Sequence, residues 1–211
     1  MNLILLSIFL MAILSLVYFG YQQRDKHQRR FLVAQAQGWR YSPRGWRMFV
    51  RGDYYLVGST PTGIIWELRC VRVGPQLLWC WNTSSVSFKQ GFLQIWSRKS
   101  LFEAPLPPNL LKHEATNIGS EAWQDVFLLL TTHQFKAKTY ITPQLEGMML
   151  AWPYWPQPGS FKMLSWVGGS LQIYGRYQDS WEATERIVAL GTTLTARHIN
   201  SPLVKREGSQ S

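Results

Sequence analysis

The hydrophobic pattern of the chain changes near residue 38. Residues 3–21 read LILLSIFLMAILSLVYFGY, an apolar run without a charged residue. A helix rises about 1.5 Å per residue, so a run of this length spans about 28 Å, close to the ~30 Å hydrocarbon core of a bilayer. From Trp39 onward, short apolar runs alternate with glycine and proline, a pattern typical of strands and turns. The sequence therefore predicts a transmembrane anchor over residues 1–21, followed by a folded body.

Two other structures could account for an apolar N-terminal run. A cleaved signal peptide carries basic residues before a shorter apolar run and a site of small residues after it. Here only Met1 and Asn2 precede the run, and Gln22, Gln23 and Arg24 follow it. A core helix of a soluble protein usually has a polar stripe, and this run has none. The pattern favours an uncleaved anchor.

Basic residues lie on one side of the anchor only. Within ten positions after it stand four of them, Arg24, Lys26, Arg29 and Arg30, and none precedes it. By the positive-inside rule, this bias predicts a single-pass protein whose C-terminal body lies in the cytoplasm. Near anionic lipid each such cation is worth about 1 kcal/mol, so the four residues are candidates for contact with the membrane surface. The alternative is that these charges only set the topology.

Residues 22–38 predict a basic juxtamembrane helix that continues the anchor out of the bilayer. The segment consists of good helix formers, and Gly38 ends it in the manner of a C-terminal cap. Phe31, Leu32 and Ala36 are predicted to form an apolar stripe that docks on the body.

The body begins with a predicted antiparallel β-meander. Apolar runs of strand length follow one another between residues 39 and 98, and in the run at 64–73 Trp66 and Leu68 alternate with Glu67 and Arg69. Turns that contain glycine or proline separate the runs. We expect about six strands, at residues 39–42, 46–50, 54–58, 64–73, 77–88 and 92–96.

The second half of the body is predicted to mix strands and helices. A turn-rich linker is predicted at 104–109, and residues 125–132 form either a buried strand or the end of a helix that starts at Ser120. A helix is predicted from Thr142 to Ala151, and strands 161–167 and 170–176 are predicted to form a β-hairpin about Gly168 and Gly169. A C-terminal helix with an acidic cap at Asp179 follows. The predicted class is α+β, with a single cytoplasmic domain over residues 39–199 and a disordered tail over 200–211.

Composition narrows the class of protein. Lys and Arg number 22 against 12 Asp and Glu, a formal charge of +10, and residues 31–100 hold nine of the basic residues against two acidic ones. A disordered chain would combine low hydrophobicity with high charge density, whereas only 16% of these residues are charged. Two cysteines exclude a disulfide-dense scaffold and a four-cysteine zinc module. The chain is also rich in tryptophan, with 11 residues.

No motif in the chain predicts catalysis. The four histidines, His27, His113, His133 and His198, are far apart and lack acidic or histidine partners at metal-ligand spacing. The sequence has no nucleophile elbow, phosphate loop or dinucleotide fingerprint. We therefore expect no catalytic, cofactor-binding or metal-binding residues.

The two cysteines stand symmetrically about a predicted turn at residues 74–76. In a hairpin, Cys70 and Cys80 would be approximate cross-strand neighbours, which leaves a redox pair or two inert thiols as alternatives. Trp79 and Trp81 flank Cys80, and this apolar setting favours buried, inert thiols in a reducing cytoplasm. A disulfide becomes the better interpretation if the body lies outside the cytoplasm.

An aromatic and basic segment follows Gly38. Large aromatic residues alternate there with four arginines, Arg40, Arg44, Arg47 and Arg51. The segment could place its tryptophans in the core and its arginines in solvent, or it could contact the bilayer, a protein partner or single-stranded nucleic acid. Proximity to the anchor favours the membrane over nucleic acid. The four arginines therefore join the membrane-surface candidates.

Residues 151–159 read AWPYWPQPG, and three prolines exclude regular structure there. Trp152, Tyr154 and Trp155 have two interpretations. They could pack as a loop across one end of the core, or they could form an exposed aromatic surface for a partner protein or for lipid.

The chain resembles a family of uncharacterised bacterial membrane proteins that have one or two N-terminal hydrophobic helices and a small α+β body. The resemblance rests on Gly38-Trp39-Arg40-Tyr41, on the spaced glycines that follow, on the stretch from Gly119 to Phe127, and on Ile141-Thr142-Pro143. The chain departs from the family pattern at Ser120, where an acid would follow the glycine, and at Trp123-Gln124, where Phe-Asp would stand. The resemblance implies this fold and a location in the bacterial inner membrane, and it implies no activity.

Two functions remain open at this point. The first is a non-catalytic domain that binds the bilayer surface or an unidentified protein partner and needs no cofactor. The alternative is a membrane-tethered enzyme without a recognisable motif. A pocket with converging polar groups of shifted pKa would favour the enzyme, and a flat aromatic surface would favour the binding domain.

Overall fold

The computed structural model describes residues 3–43, 54–73, 76–84, 91–103, 110, 115–132 and 134–199. A long N-terminal helix leads into a sheet of eight antiparallel strands that carries helices on one face, which confirms the α+β class. The strand predicted at 46–50, the linker at 104–109 and the tail at 200–211 lie outside the described residues.

The helices are α1 (Leu3–Ala36), α2 (Glu121–Val126), α3 (Gln134–Tyr140), α4 (Pro143–Leu150) and α5 (Trp181–Ile199), with a 3-10 turn at Arg98–Phe102. The strands are β1 (Arg40–Pro43), β2 (Tyr54–Ser59), β3 (Ile65–Val73), β4 (Gln76–Thr83), β5 (Phe92–Ser97), β6 (Phe127–Thr131), β7 (Phe161–Val167) and β8 (Ser170–Arg176). In the sheet they follow the order β1-β2-β3-β4-β8-β7-β5-β6.

The predicted meander is confirmed for β1 to β4, which pair in sequence. The next strand, β5, forms where it was expected along the chain but does not join β4. The hairpin of β7 and β8 lies between them, so that Trp81 of β4 faces Ile173 and Ile95 of β5 faces Leu164. An alternating apolar pattern predicts that a strand buries one face, but it does not say which strand will be its neighbour.

A single helix, α1, joins the predicted anchor to the body. It runs without interruption for 34 residues, and its apolar segment is long enough to cross a membrane and is not buried by the body. A core helix would be buried, so that alternative does not describe α1. The helix ends in a two-bond cap, in which Gly38 N–H donates to Gln35 O at 3.0 Å and Trp39 N–H to Ala34 O at 2.8 Å. Gly38 has the positive φ, +71°, that this cap requires.

Tryptophan builds much of the buried face of the sheet. Trp66 and Leu68 of β3 are buried, whereas Glu67 and Arg69 project to the opposite face, which confirms the predicted alternation. The largest fully buried side chains include Trp66, Trp79, Trp81, Trp123 and Trp166. Three of these indoles lie directly on glycines, where a Cβ would overlap the ring; the pairs are Trp66 on Gly58, Trp79 on Gly175 and Trp81 on Gly191.

Side-chain caps begin two of the helices, and the cap at Thr142 confirms the helix predicted to start there. Ser120 Oγ accepts a hydrogen bond from Trp123 N–H at the start of α2, and α2 leads directly into β6. The helix and the strand that were alternatives for this segment therefore both exist. Thr142 Oγ accepts from Leu145 N–H at the start of α4.

The cap of the last helix differs from the prediction. Ser180, rather than Asp179, caps α5, because Ser180 Oγ accepts from Ala183 N–H at 3.1 Å. The carboxylate of Asp179 bonds side chains of α1 instead. Helix α3, which packs against α5, was not predicted from the sequence.

Candidate functional site

Helix α1 continues past the predicted membrane surface and packs against the body. Its buried side chains in this region are His27, Arg30 and Ala34, which recur every three or four residues and therefore lie on one face. This face is mainly polar. It docks because β1, β2 and the segment before α5 present tyrosines and an aspartate to it.

The apolar stripe predicted for this docking is wrong. Phe31 and Leu32 are 48% and 57% exposed, and Ala36 is exposed as well. Hydrophobicity alone does not predict this docking, because the body offers hydrogen-bonding partners at the site that receives α1.

Arg30 and Asp179 form the centre of the contact. Arg30 donates hydrogen bonds to Asp179 and, at 3.0 Å, to the hydroxyl oxygen of Tyr177. That hydroxyl donates in turn to Asp179 Oδ1 at 2.9 Å. Lys26 forms a further ion pair with the same carboxylate. One carboxylate of the body therefore holds two cations of α1, of which Arg30 is buried.

Three tyrosines surround the Arg30 guanidinium. The rings of Tyr41 and Tyr54 stack with centres 5.4 Å apart, and Tyr177 meets Tyr54 edge-on at 6.0 Å. The guanidinium carbon of Arg30 lies 5.0 Å from the centre of the Tyr54 ring, a cation–π contact. His27 Nδ1 is hydrogen-bonded to the Tyr41 hydroxyl. We refer to Lys26, His27, Arg30, Tyr41, Tyr54, Tyr177 and Asp179 as the junction cluster.

The junction cluster keeps its tyrosines neutral and its ion pair charged. Burial raises the pKa of Tyr41 to about 12, and it also raises the pKa of Tyr54 and of Tyr177 above the ordinary value of tyrosine. Burial opposes the charge of Arg30, but the groups of Tyr177, Tyr54 and Asp179 outweigh it and raise the pKa of the guanidinium. Burial likewise opposes ionisation of Asp179, but bonds from Lys26 and Arg30 outweigh it, and the pKa of the carboxyl is lowered.

These protonation states suit a structural joint rather than a reaction. A neutral phenol with a raised pKa is a hydrogen-bond donor, not a nucleophile or a base, at neutral pH. Among the described residues, no group of three or more His, Cys, Asp or Glu side chains could hold a metal ion. The junction cluster fastens α1 to the sheet through directional hydrogen bonds and ion pairs.

The contact between α1 and the body is long. It begins at Lys26 and extends to Gln37, whose side-chain amide donates to Glu185 Oε1 of α5 at 2.6 Å. At about 1.5 Å per residue, this is roughly 16 Å of helix. A helix held at both ends of such a length cannot pivot on the body without breaking several bonds.

The contact also defines which end of the sheet lies nearest the anchor. Trp39 N–H bonds Ala34, whereas Tyr41, two residues later in β1, reaches back to His27. β1 therefore runs along α1 toward the anchor. Its last residue, Pro43, pairs with Tyr54, the first residue of β2. This end of β1 and β2 lies roughly 13 Å nearer to the anchor than Trp39, at about 3.3 Å per residue of strand.

Comparison of the chain with protein-family models, with curated proteins and with solved structures finds no match. The candidate site rests on the geometry of the junction cluster and on where the structure positions the residues predicted from the sequence.

The eight membrane-surface candidates fall into different environments. Arg24 and Arg29 are exposed on α1 below or beside the contact. Lys26 and Arg30 bond Asp179, and Arg30 is buried, so its guanidinium is not available to lipid. Arg40 is exposed, but it lies at the end of β1 that is remote from the anchor. The remaining candidates, Arg44, Arg47 and Arg51, lie outside the described residues.

The aromatic loop at 151–159 packs across one end of the core, in line with the first of its two interpretations. Trp152 and Trp155 are 8% and 3% exposed, so they offer little surface to a partner; Tyr154 alone is half exposed. The crevice that these residues line with Phe161 has a cavity volume of about 10 Å³, room for one water molecule. It is far smaller than a pocket for an organic substrate, which occupies roughly 300 Å³ or more.

The cysteines are not cross-strand partners. In the β3–β4 register Cys70 faces Trp79, and Cys80 faces Arg69. Because the two positions differ by one step, their side chains project to opposite faces of the sheet and form no disulfide. Burial raises the pKa of the Cys80 thiol, which makes it less reactive. The interpretation as inert thiols is therefore favoured whichever compartment holds the body.

Sequence reasoning missed the body's half of the junction cluster. The sequence pattern predicts only a strand start at Tyr54 and a helix cap at Asp179, and it predicts nothing for Tyr177. One signal was present: Asp179 and Ser180 compete for a single capping position, so one of them had to bond elsewhere. The excess of cations on α1 after the anchor indicates an acidic partner, and Asp179 is that partner.

Replacing Asp179 by asparagine is expected to lower the free energy of unfolding by about 2 kcal/mol. The change leaves the buried Arg30 guanidinium without its carboxylate, and the cost is less than for a fully buried pair because the Asp179 side chain is 46% exposed. The matched control is Asp25→Asn, which breaks an exposed pair with Arg29 on the same helix and should cost less than about 0.5 kcal/mol. Urea titration of both variants measures the difference. Equal losses would show that Arg30 does not depend on Asp179.

The lowered pKa of Asp179 predicts that the free energy of unfolding decreases at acid pH. Its pKa in the folded protein lies below the usual 3.8, so its contribution is complete above about pH 4 and is lost as the pH falls through the folded pKa. The stability of the unaltered protein should therefore fall more steeply below pH 4 than that of the Asp179→Asn variant. Parallel curves for the two proteins would contradict this assignment.

Proposed function

We propose that the protein is a single-pass anchor that holds a non-catalytic α+β body against the cytoplasmic surface of the bacterial inner membrane, where the body binds acidic lipid. The observation that carries the proposal is the junction cluster. It joins the body to α1 within about 8 Å of the end of the apolar run, since Lys26 follows Tyr21 by five residues. A domain on a flexible linker would need no such joint.

The proposal draws support from the continuity of α1. The helix passes from the apolar run into the contact with the body without a break, so a bilayer around the apolar run would hold the body at one height and in one direction. A flexible tether of the same length would let the body rotate freely, and no face of it would be held toward lipid. A fixed joint is useful to a protein that presents one particular surface to the membrane.

The end of the body nearest the anchor favours acidic lipid. The chain leaves β1 at Pro43 and enters β2 at Tyr54, and the sequence between them is RGWRMFVRGD. Its three arginines outnumber its one aspartate, and it carries a tryptophan and a phenylalanine. Arginine and tryptophan together are typical of segments that contact headgroups, where each cation contributes about 1 kcal/mol.

Binding to acidic vesicles tests the proposal. A fragment of residues 22–199, which lacks the apolar run, is expected to co-sediment with vesicles that contain phosphatidylglycerol and not with neutral vesicles. The binding should weaken with salt, because surface charges are screened beyond about 10 Å at 0.1 M. Replacing Arg44, Arg47 and Arg51 by glutamine should abolish most of it.

A second triple variant removes the same charge from other sites. Arg40, Lys138 and Arg186 are exposed, and Arg40 lies at the end of β1 remote from the anchor. Their replacement by glutamine should leave most of the binding intact. If the two triple variants bind equally, position does not matter and the proposed surface is wrong. Tighter binding to single-stranded DNA at the same ionic strength would favour a nucleic-acid function instead.

The orientation is tested with reporters fused at the C-terminus of the full chain. Because the basic residues follow the apolar run, alkaline phosphatase fused there should be inactive and a green fluorescent protein should fluoresce. The fusion proteins should remain in the membrane fraction after a carbonate wash. An active phosphatase fusion would put the body outside the cytoplasm.

A further inference from the structure

Two exposed aromatic side chains flank one lysine at an end of the body. Phe102, the last residue of the 3-10 turn, is 89% exposed, and Tyr154 of the aromatic loop is 50% exposed. Lys99 joins them, because its Nζ lies 5.0 Å from the centre of the Tyr154 ring and because residues three apart in a 3-10 turn lie on the same side. We refer to Lys99, Phe102 and Tyr154 as the aromatic rim.

The aromatic loop is tied to the junction cluster through the last residue of β8. The main chain of Arg176 donates a hydrogen bond to Ser160 O at 2.9 Å and accepts one from Gly159 N–H at 3.0 Å. Asp179, which bonds Lys26 of α1, follows Arg176 by only three residues, at most about 11 Å along the chain. The aromatic loop therefore lies at the end of the body that faces the apolar run.

The strand register places the 3-10 turn at the same end. A row of paired residues starts at Tyr54 of the junction cluster and crosses the sheet through Cys70, Trp79, Gly175 and Phe161. Phe161 stands two residues before Met163, and Met163 pairs with Trp96 of β5. The 3-10 turn begins two residues after Trp96, so it starts where this row reaches β5.

The level of this end along α1 fits the surface of a bilayer around the apolar run. Lys26, which bonds the body, follows Tyr21 by five residues, about 8 Å of helix. The headgroup layer beyond the hydrocarbon core is about 5–8 Å thick. The part of the body that meets Lys26 is thus level with the headgroups, and the aromatic rim belongs to the same end.

The chemistry of the aromatic rim suits ring burial in lipid more than attraction between charges. Tyrosine and lysine combine an apolar body with a polar tip, and aromatic residues are typical of the membrane–water interface. Glu103 follows Phe102 directly and is exposed, so its charge offsets that of Lys99. Removal of the exposed phenyl ring from water is the favourable term that remains.

We propose that the aromatic rim enters the boundary between headgroups and acyl chains of the bilayer that holds α1, with Phe102 as the inserted side chain. The inference rests on the proposed function, because it needs the membrane crossing of α1. It adds a second contact with lipid, which depends on ring burial and not on the arginines between β1 and β2. Two contacts on different elements keep the body from tilting about the junction cluster.

Quenching by nitroxide-labelled lipid tests the contact in the full chain reconstituted into vesicles. Phe102→Cys and Ile65→Cys each receive the same environment-sensitive dye. Ile65 is also apolar and exposed, at 64%, but it pairs with Ser59 at the end of β2 that is remote from the anchor. Quenching is expected to be several-fold stronger for Phe102→Cys than for Ile65→Cys. The unaltered chain, treated with the same dye, supplies the background from its own cysteines.

A dye on Leu14→Cys separates failure of this contact from failure of the proposed function. Leu14 lies within the apolar run. Strong quenching for Leu14→Cys, with equal quenching for Phe102→Cys and Ile65→Cys, would overturn the contact of the aromatic rim and leave the anchor in place. Absence of quenching for Leu14→Cys would overturn the membrane crossing, and the contact of the aromatic rim with it.

A second readout removes the phenyl ring while the dye reports from its neighbour. With the dye on Tyr154→Cys, the added change Phe102→Ser should lower the quenching several-fold. The added change Val167→Ser should leave it unaltered, because Val167 is 46% exposed but ends β7 at the side of the sheet remote from the anchor. The quenching should persist at about 0.5 M salt, which screens exposed charges. Equal effects of the two serine substitutions, or loss of quenching in salt, would overturn the insertion of Phe102.

Discussion

A fragment that begins at Gln22 is expected to be more stable than one that begins at Gly38, by about 3 kcal/mol or more. Both lack the apolar run and both end at Ile199. The shorter fragment loses Arg30 and Ala34, and with them the cover over the rings of Tyr41 and Tyr54, which are 7% and 0% exposed in the protein. Exposing a large part of two such side chains costs about 1.5 kcal/mol each, and the lost bonds of Asp179 add to it. For a body of this size, the melting temperature should fall by roughly 6–12 °C.

Two substitutions in the longer fragment separate this cause from a general effect of length. Arg30→Ala removes the buried guanidinium and should reproduce much of the loss. Arg29→Ala removes an adjacent cation whose side chain is 78% exposed and should change the melting temperature by little. Circular dichroism during heating measures all four proteins. If the fragments that begin at Gly38 and at Gln22 have the same melting temperature, the body folds without α1 and the junction cluster is only a surface contact.

Gly191→Ala is expected to destabilise the body by about 1–2 kcal/mol, although alanine favours helices. Gly191 lies inside α5 where the indole of Trp81 rests on its Cα, and an added Cβ would overlap ring carbons of Trp81. Trp81 is fully buried in β4, so the ring cannot move without displacing the rest of the core. Overpacking of this kind costs about 1–3 kcal/mol or more, which exceeds the gain of about 1 kcal/mol in helix propensity.

The matched control is Gly147→Ala in α4. This glycine is also helical, but nothing lies within 4 Å of the position that its Cβ would take. The substitution should therefore raise the stability by up to about 1 kcal/mol, through helix propensity alone. Thermal melts of the two variants should move in opposite directions. A stabilising Gly191→Ala would mean that α5 does not rest on Trp81 in solution.

Elements with local causes were predicted from the sequence. Gly168 and Gly169 both have positive φ, so the turn between β7 and β8 follows from two residues. Ser120 and Thr142 cap their helices by bonds that reach only three residues along the chain. The end of α1 at Gly38 has the same character. In each case the residues that determine the element lie within about five positions of one another in the sequence.

Elements with distant causes were not predicted. The place of β5 in the sheet depends on the β7–β8 hairpin, which is encoded about seventy residues later. The junction cluster joins Arg30 to Asp179, which are 149 positions apart, and neither residue has a neighbour in sequence that indicates the other. A polar docking face is also invisible to a search for apolar stripes.

The unbroken helix that joins the apolar run to the body has a consequence for insertions and deletions. Because a helix turns about 100° per residue, adding one residue between Tyr21 and Lys26 would turn the body about the axis of α1 by that angle, relative to the apolar run, while moving it only about 1.5 Å along the axis. Adding seven residues would return the body to nearly its original azimuth but raise it by about 10 Å. The distance of the body from the apolar run thus depends on the total number of residues in this segment. The direction of the body depends only on the part of that number left over after whole pairs of helical turns. The number of residues between Tyr21 and Lys26 therefore sets both the direction and the distance of the body relative to the apolar run.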